Sequence, residues 1–420
     1  MSTYRKTVMD NGITVISEEI DRVRSLSLGV WVNCGSRNEE HSTNGAVHFI
    51  EHMLFKGTKK RTAFDIASEI DSVGGILNAC TGKELTSFYV KIPDYHLPLA
   101  IDLLADILKD SAFDPEEMEK EKSVILQEIR MVEDTPDDFI HDFFGKAFWG
   151  SHPLSLPVLG TEDSVRGIRR DALLEIFEKY YRGGRLVLTA AGCLRHDDLV
   201  SLVGESLGSV APAEGGNGQD APTPTARVAV LEKDLEQVHM VIGSPGHTFS
   251  DPARYAGFIV NTVLGGSMSS RLFQEVREKR GLAYAIHSYL VSYRDAGMFG
   301  VYAGAGDEKV GEVLDVIFAE LRKLKADLLT DKELSSAKEQ IKGRFLLSME
   351  STDTRMTRLA KNEIYLGRDL SLDEAISNLE SVSAEEVREV ARSLFKKDTV
   401  SVAAIGRVTE DDIAGNMPDL

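Results

Sequence analysis

Residues 173–192 read LLEIFEKYYRGGRLVLTAAG, and residues 387–406 read VREVARSLFKKDTVSVAAIG. Each stretch opens with apolar residues at helical spacing, breaks at a short polar turn, and ends in a strand-like run closed by glycine. The closing residues, Gly192 and Gly406, are 214 positions apart (406 − 192), about half of the 420-residue chain. Earlier segments repeat in the same order. FDPEEMEKEKSVILQEI from Phe113 corresponds to LTDKELSSAKEQIKGRF from Leu329, and HFIEHML from His48 to GFIVNTV from Gly257. A nearly constant offset over three segments indicates a duplicated domain, with small insertions absorbing the differences.

Residues 211–226, with PAEGGNGQDAPTPT in their middle, are rich in Gly, Pro and Thr and carry too little apolar material to enter a core. They divide the chain into domains expected at 1–210 and 227–420. Within the first, 25–33 and 86–92 read as strands, and 44–55, 97–109 and 115–132 as helices. Strands alternating with helices, without a Rossmann glycine fingerprint, predict an α+β class: two duplicated domains, each a mainly antiparallel sheet with helices packed on one face.

The net charge of −19 speaks against a duplex-binding protein, which would present a basic face. Cys34, Cys80 and Cys193 are few, widely spaced and odd in number, as expected of reduced thiols rather than a disulfide framework. No stretch approaches the ~18 apolar residues of a membrane span, and the first residues lack a signal-peptide core. The expectation is a cytoplasmic protein of a bacterium, or one of an organelle matrix if a presequence has been removed.

The chemistry concentrates in His48-Phe49-Ile50-Glu51-His52. On a helix, positions i, i+3 and i+4 share a face, so two imidazoles and a carboxylate point the same way. Two His one turn apart can grip a zinc ion, and the adjacent Glu51 can deprotonate its water. A catalytic zinc needs a third protein ligand. The helix starting at Asp114-Pro115-Glu116-Glu117, with a capping Asp and Pro at its first position, offers Glu121 and Glu128, two turns apart on one face. His41, His96, His141, His152, His196, His239, His247 and His287 have no partner at ligand spacing and are read as non-ligands.

HFIEHMLFKGT followed by Glu121 and Glu128 resembles the pitrilysin and insulinase family of zinc metallopeptidases, the inverted HxxEH type. GGILNACTGKELTSFYV from Gly74, HPLSLPVLGT from His152 and GGSMSSRLFQEVREKRGLAY from Gly265 extend the likeness over nearly the whole chain. It is nearest to the short two-domain members, the mitochondrial processing peptidase subunits and their bacterial relatives. The resemblance implies that Glu128 is the third ligand of one zinc per chain and that Glu121 stands behind the metal. It implies that Asn78 and Ala79 lie on the edge strand to which an extended peptide adds. It also implies that Arg277 and Tyr284 approach the substrate, and that Asp138 and Asp142 near the metal favour a basic residue before the cut. The expected function is a zinc metalloendopeptidase acting on unfolded peptides or presequence-like segments inside a homodimer chamber, with no nucleic acid and no membrane as partner. The alternative is a catalytically silent structural subunit of a larger complex. The repeat bears on that choice: His48, Glu51, His52 and Glu128 fall opposite Gly257, Val260, Asn261 and Arg344, so the second half is expected to keep the scaffold without metal chemistry.

Overall fold

The computed structural model describes residues 3–213 and 220–415, so 214–219 of the expected linker lie outside the described residues. It forms two compact units, the first of Met1–Met131, Leu156–Gly218 and Ser348–Asp369, the second of Val132–Ser155, Gln219–Leu347 and Leu370–Leu420.

The first unit holds a six-stranded sheet of β1 (Thr3–Val8), β2 (Thr14–Glu19), β3 (Ser25–Val32), β4 (Ile76–Thr81), β5 (Thr86–Pro93) and β6 (Leu186–Gly192), in the order β1-β2-β6-β3-β5-β4. Only β2 and β6 run parallel. Alternate residues such as Leu28, Val30, Phe88, Val90 and Leu188 point to one face and are buried with Phe49, Ile50, Leu104 and Leu173 from the helices. Each such fully buried side chain contributes roughly 1.5–3 kcal/mol. Helices Ala46–Leu54, Leu97–Asp110 and Pro115–Glu133 fall within a few residues of the bounds expected from periodicity.

The second unit repeats the plan with β7 (Val228–Glu232), β8 (Val238–Pro245), β9 (Ala283–Ser292), β10 (Gly297–Ala305) and β11 (Ser401–Gly406), in the order β7-β11-β8-β10-β9. This matches β2-β6-β3-β5-β4 strand for strand, including the single parallel pair, β7 with β11. The glycines that close the repeated sequence end β6 and β11 with φ of +138° and +145°. A Cβ on Gly192 would lie 2.3 Å from the Ser25 carbonyl oxygen, so neither the torsion nor the space admits another residue there.

The units do not follow chain order. Helix Pro136–Trp149, from the first half, lies on the outer face of the second sheet, where Ile140, Phe144 and Phe148 pack on Val241, Met298 and Ala403. Helix Thr352–Leu366, from the second half, lies on the outer face of the first sheet, with Met356 and Ala360 against Trp31 and Ala191. Ion pairs support the second of these: Arg355 and Arg358 to the buried Glu18, Lys6 to Glu363 at 2.6 Å, and Lys91 to Asp353 at 2.8 Å. The expected division at 211–226 is therefore crossed by two reciprocally placed helices, and each sheet carries one helix on the face that the expectation left open.

Under helix Pro136–Trp149 sits a polar cluster. His141 shares a hydrogen bond with the Tyr289 hydroxyl at 3.1 Å and His239 with that of Tyr302 at 2.9 Å, while His287 lies at the exposed end, its ring centroid 5.1 Å from that of Tyr302. Burial pushes His141 and His239 below the ordinary histidine value. For His141 the neighbouring His287 adds to the push, and Asp137, Asp138 and Asp142 oppose it; Asp137 opposes it for His239. In the unfolded chain both titrate near ~6.5. As pH falls through that value the unfolded state takes up protons first, so this stability is present above ~6.5 and is lost below it. The thermal midpoint is expected to drop between pH 7.5 and 5.5, and to drop less in His141→Gln/His239→Gln, which retains hydrogen bonding without the charge. Equal drops in the two proteins would refute this origin.

Candidate metal centre

Helix Ala46–Leu54 presents His48, Glu51 and His52 toward helix Pro115–Glu133. The Asp114 carboxylate caps the latter, accepting from the Glu116 and Glu117 amides at 2.8 and 3.1 Å, as its sequence predicts. Two turns beyond Glu121, Glu128 Oε2 lies 3.9 Å from His48 Nε2 and 3.7 Å from His52 Nε2. Ligand atoms of the three residues lie within 4.8 Å of one another, and no other such group of three occurs among the described residues.

Do these residues fit a zinc ion? Two atoms each about 2.0–2.1 Å from a tetrahedral zinc lie roughly 3.3–3.4 Å apart, slightly closer than the separations here. Contacts of 3.7–3.9 Å are too long for direct hydrogen bonds. Burial, with a smaller push from His52, lowers His48 to about 3, so it stands as a neutral imidazole, the form that binds metal. Its Nδ1 is buried without a hydrogen-bond partner. A set of two nitrogens and one oxygen suits zinc. The residues fit.

Behind them a relay fixes His52. Its Nδ1 donates to Glu121 Oε2 at 3.0 Å, and Lys56 donates to the other Glu121 oxygen at 2.7 Å. Glu121 is buried, and the contact turns Nε2 of His52 toward the metal position. In Glu121→Gln one ring nitrogen loses its charged acceptor and Lys56 loses its ion pair. Zinc affinity is expected to weaken about 10–100-fold, measured by competition with a chromophoric chelator; wild-type affinity would exclude the role.

Glu51 accepts a short hydrogen bond from the Thr81 hydroxyl, the last residue of β4. Burial raises its carboxyl above the usual value, against the pull of Thr81 and His52. It is thus a stronger base than a solvated glutamate. Strand β4 pairs with β5 on one side and forms the sheet edge on the other. The Ala79 amide is taken by the side-chain oxygen of its own neighbour Asn78 at 2.8 Å, which places that N–H on the open side of the strand. Along the same edge runs a groove of about 560 Å³ lined by Phe55, Ile66, Ile70, Ile76 and Leu77. A larger hollow of about 860 Å³ beside Arg24, Asp94 and Cys193 holds none of the metal donors.

The remaining expected residues belong to the second unit. The Arg277 guanidinium lies 4.8 Å over the Tyr284 ring and 4.9 Å over Phe273, and Tyr284 is 74% exposed. Asp138 and Asp142 stand on helix Pro136–Trp149, where their influence falls on His141. Both belong to the second unit, on the helix that follows the turn at Thr135. Sequence reasoning missed Thr81 and Lys56. Lys56 lies just past the helix end at Leu54 and Thr81 ends β4, so each meets its partner only through tertiary packing.

Comparison with known proteins agrees with this geometry. Residues 14–162 match Insulinase (Peptidase family M16), and residues 167–341 match the Peptidase M16 inactive domain. An uncharacterized zinc protease of Bacillus subtilis is 41% identical over 414 residues, 99% of both chains. One of Streptomyces coelicolor is 40% identical over 411 residues, 96% of this chain and 90% of that one. A protease from Helicobacter pylori shares the fold with a TM-score of 0.92 at 22% identity, over 97% of this chain and 100% of that one. A subunit of complex III2 from Candida albicans shares it with a TM-score of 0.85 at 20% identity, over 98% and 99%. No helix among the described residues is long and apolar enough to cross a membrane. The metal donors fall in the segment matched by the Insulinase description, and Gly257, Val260 and Asn261, opposite His48, Glu51 and His52 in the repeat, fall in the segment described as inactive: the chain belongs to peptidase family M16.

Proposed function

We propose that the chain is a zinc-dependent endopeptidase that cleaves unfolded peptides, with one zinc per chain held by His48, His52 and Glu128. The observation that carries this reading is the convergence of those three donors beside a half-buried Glu51 and an open strand edge. When bound, zinc supplies a Lewis acid that polarises the scissile carbonyl and acidifies water. Glu51, held by the Thr81 hydroxyl, accepts the proton of the attacking water and passes it to the departing amine. An extended peptide adds to β4 by main-chain hydrogen bonds, displacing the Asn78 oxygen from the Ala79 amide, and apolar side chains enter the groove beside Ile76 and Leu77. Main-chain pairing accepts many sequences, so the substrate class is broad.

In this reading two copies of the chain enclose the substrate, and the stacked Arg277 and Tyr284 contribute a donor for the developing oxyanion. Asp138 and Asp142 would favour Arg or Lys one to three residues before the cut. The bacterial origin of the zinc protease relatives supports a cytoplasmic location. The intact donor set speaks against a silent structural subunit. The test is incubation of the pure, zinc-loaded protein with a mixed peptide library, reading cut sites by mass spectrometry. Stoichiometric zinc without any cleavage would overturn the reading.

A further inference from the structure

The helix that carries His48 and His52 is capped by Gly45, a residue with no side chain to satisfy the free N–H groups of the first turn. The missing acceptors come from upstream. One carboxylate oxygen of Glu39 accepts from the Val47 amide at 2.7 Å. The other accepts from the Gly45 amide and from Asn44 Nδ2, both at 2.9 Å. Glu39 is 5% exposed. Both of its oxygens face hydrogen donors, so an amide would set donor against donor, and the carboxylate satisfies the arrangement.

The surrounding backbone leaves the helix start no slack. Asn44 Nδ2 also donates to the Pro157 carbonyl at 2.8 Å. Gly45 has φ +91°, and a Cβ there would lie 2.7 Å from the Leu159 oxygen, while a Cβ on Gly160 would lie 2.9 Å from the Gly45 Cα. Residues 157–160 therefore close over the helix start that Glu39 holds. His48 follows Val47 directly, so the rotation of the first turn sets where its ring points.

We propose that Glu39 is a positioning residue for the metal centre: by gripping Gly45 and Val47 from both carboxylate oxygens it sets the placement of His48 relative to His52 and Glu128. The proposal rests on the zinc reading above, and its test separates the two. The full-length protein is stripped and reloaded with zinc or with cobalt(II). The readouts are the zinc dissociation constant by chelator competition, the visible absorption of the cobalt form, and kcat and KM on an unstructured peptide. Glu39→Gln is expected to bind zinc about 10–100-fold more weakly, to show an altered cobalt spectrum, and to lose kcat with KM held, in a chain whose far-UV circular dichroism is that of wild type. Glu39→Asp, which keeps two acceptor oxygens on a shorter arm, is expected to recover part of the loss. Wild-type zinc affinity and an unchanged cobalt spectrum in folded Glu39→Gln would overturn the proposal. If that variant does not fold, Asn44→Ala decides: weakened zinc binding supports the proposal and unchanged binding overturns it. A wild-type chain that takes up neither ion would instead sink the zinc reading itself, before any variant is compared.

Discussion

Glu51→Gln is expected to lower peptide hydrolysis by at least about 10²-fold while leaving zinc stoichiometry unchanged. The amide is nearly isosteric and its oxygen can still accept from the Thr81 hydroxyl, so the side chain stays in place. It offers no site basic enough to take a proton from water. The carboxylate it replaces is half-buried, and that burial raises it above its usual value, which makes it a better base than a solvated glutamate. None of the three metal donors is touched. Turnover within a few-fold of wild type, measured by steady-state kinetics on a quenched fluorescent peptide, would remove Glu51 from the mechanism.

The second large effect concerns His48, and its two readouts have opposite signs. His48→Leu is expected to abolish detectable activity and to weaken zinc binding beyond the roughly 10–100-fold typical of outer-shell changes, because one of three donors is gone. In metal-stripped protein the same substitution is expected to hold or raise the thermal midpoint. The His48 ring is buried with Nδ1 unpaired, and leaving such a group without a partner costs about 1–3 kcal/mol, which a leucine of similar size does not incur. A residue kept for packing would show the reverse: a lower midpoint and zinc binding intact. Glu128→Gln, on the same zinc titration, is expected to lose affinity without a gain in stability, since Glu128 is not buried like His48.

Much of this is legible in the residues. The offset between Gly192 and Gly406 reveals the duplication, and the two sheets share order and polarity strand for strand. Helical spacing puts His48, Glu51 and His52 on one face, and the cap at Asp114 marks the helix that brings Glu128 and Glu121 to them. What stays hidden follows from what periodicity encodes. The apolar stripe of Ile140, Phe144 and Phe148 says that this helix is buried, but not which sheet it covers, and Met356 with Ala360 is silent in the same way. Asp138 and Asp142 follow Glu128 closely along the chain, and nothing in their spacing shows that the turn at Thr135 carries them onto a helix of the second unit. Glu39 shows no pattern at all, because its three donors, at Asn44, Gly45 and Val47, are reached across a loop rather than along one helix or strand.

The reciprocal placement of helices Pro136–Trp149 and Thr352–Leu366 has a consequence during synthesis. The first unit is complete only when residue 369 has been made, although its main body ends at residue 218. Translation at about 5–20 residues per second leaves roughly 8–30 s for the intervening 151 residues (369 − 218). Throughout that interval the nascent chain displays the uncovered Trp31 and Ala191 surface of a finished sheet. Ribosome-bound chains arrested near residue 220 should therefore recruit holdase chaperones, and chains arrested beyond residue 369 should release them.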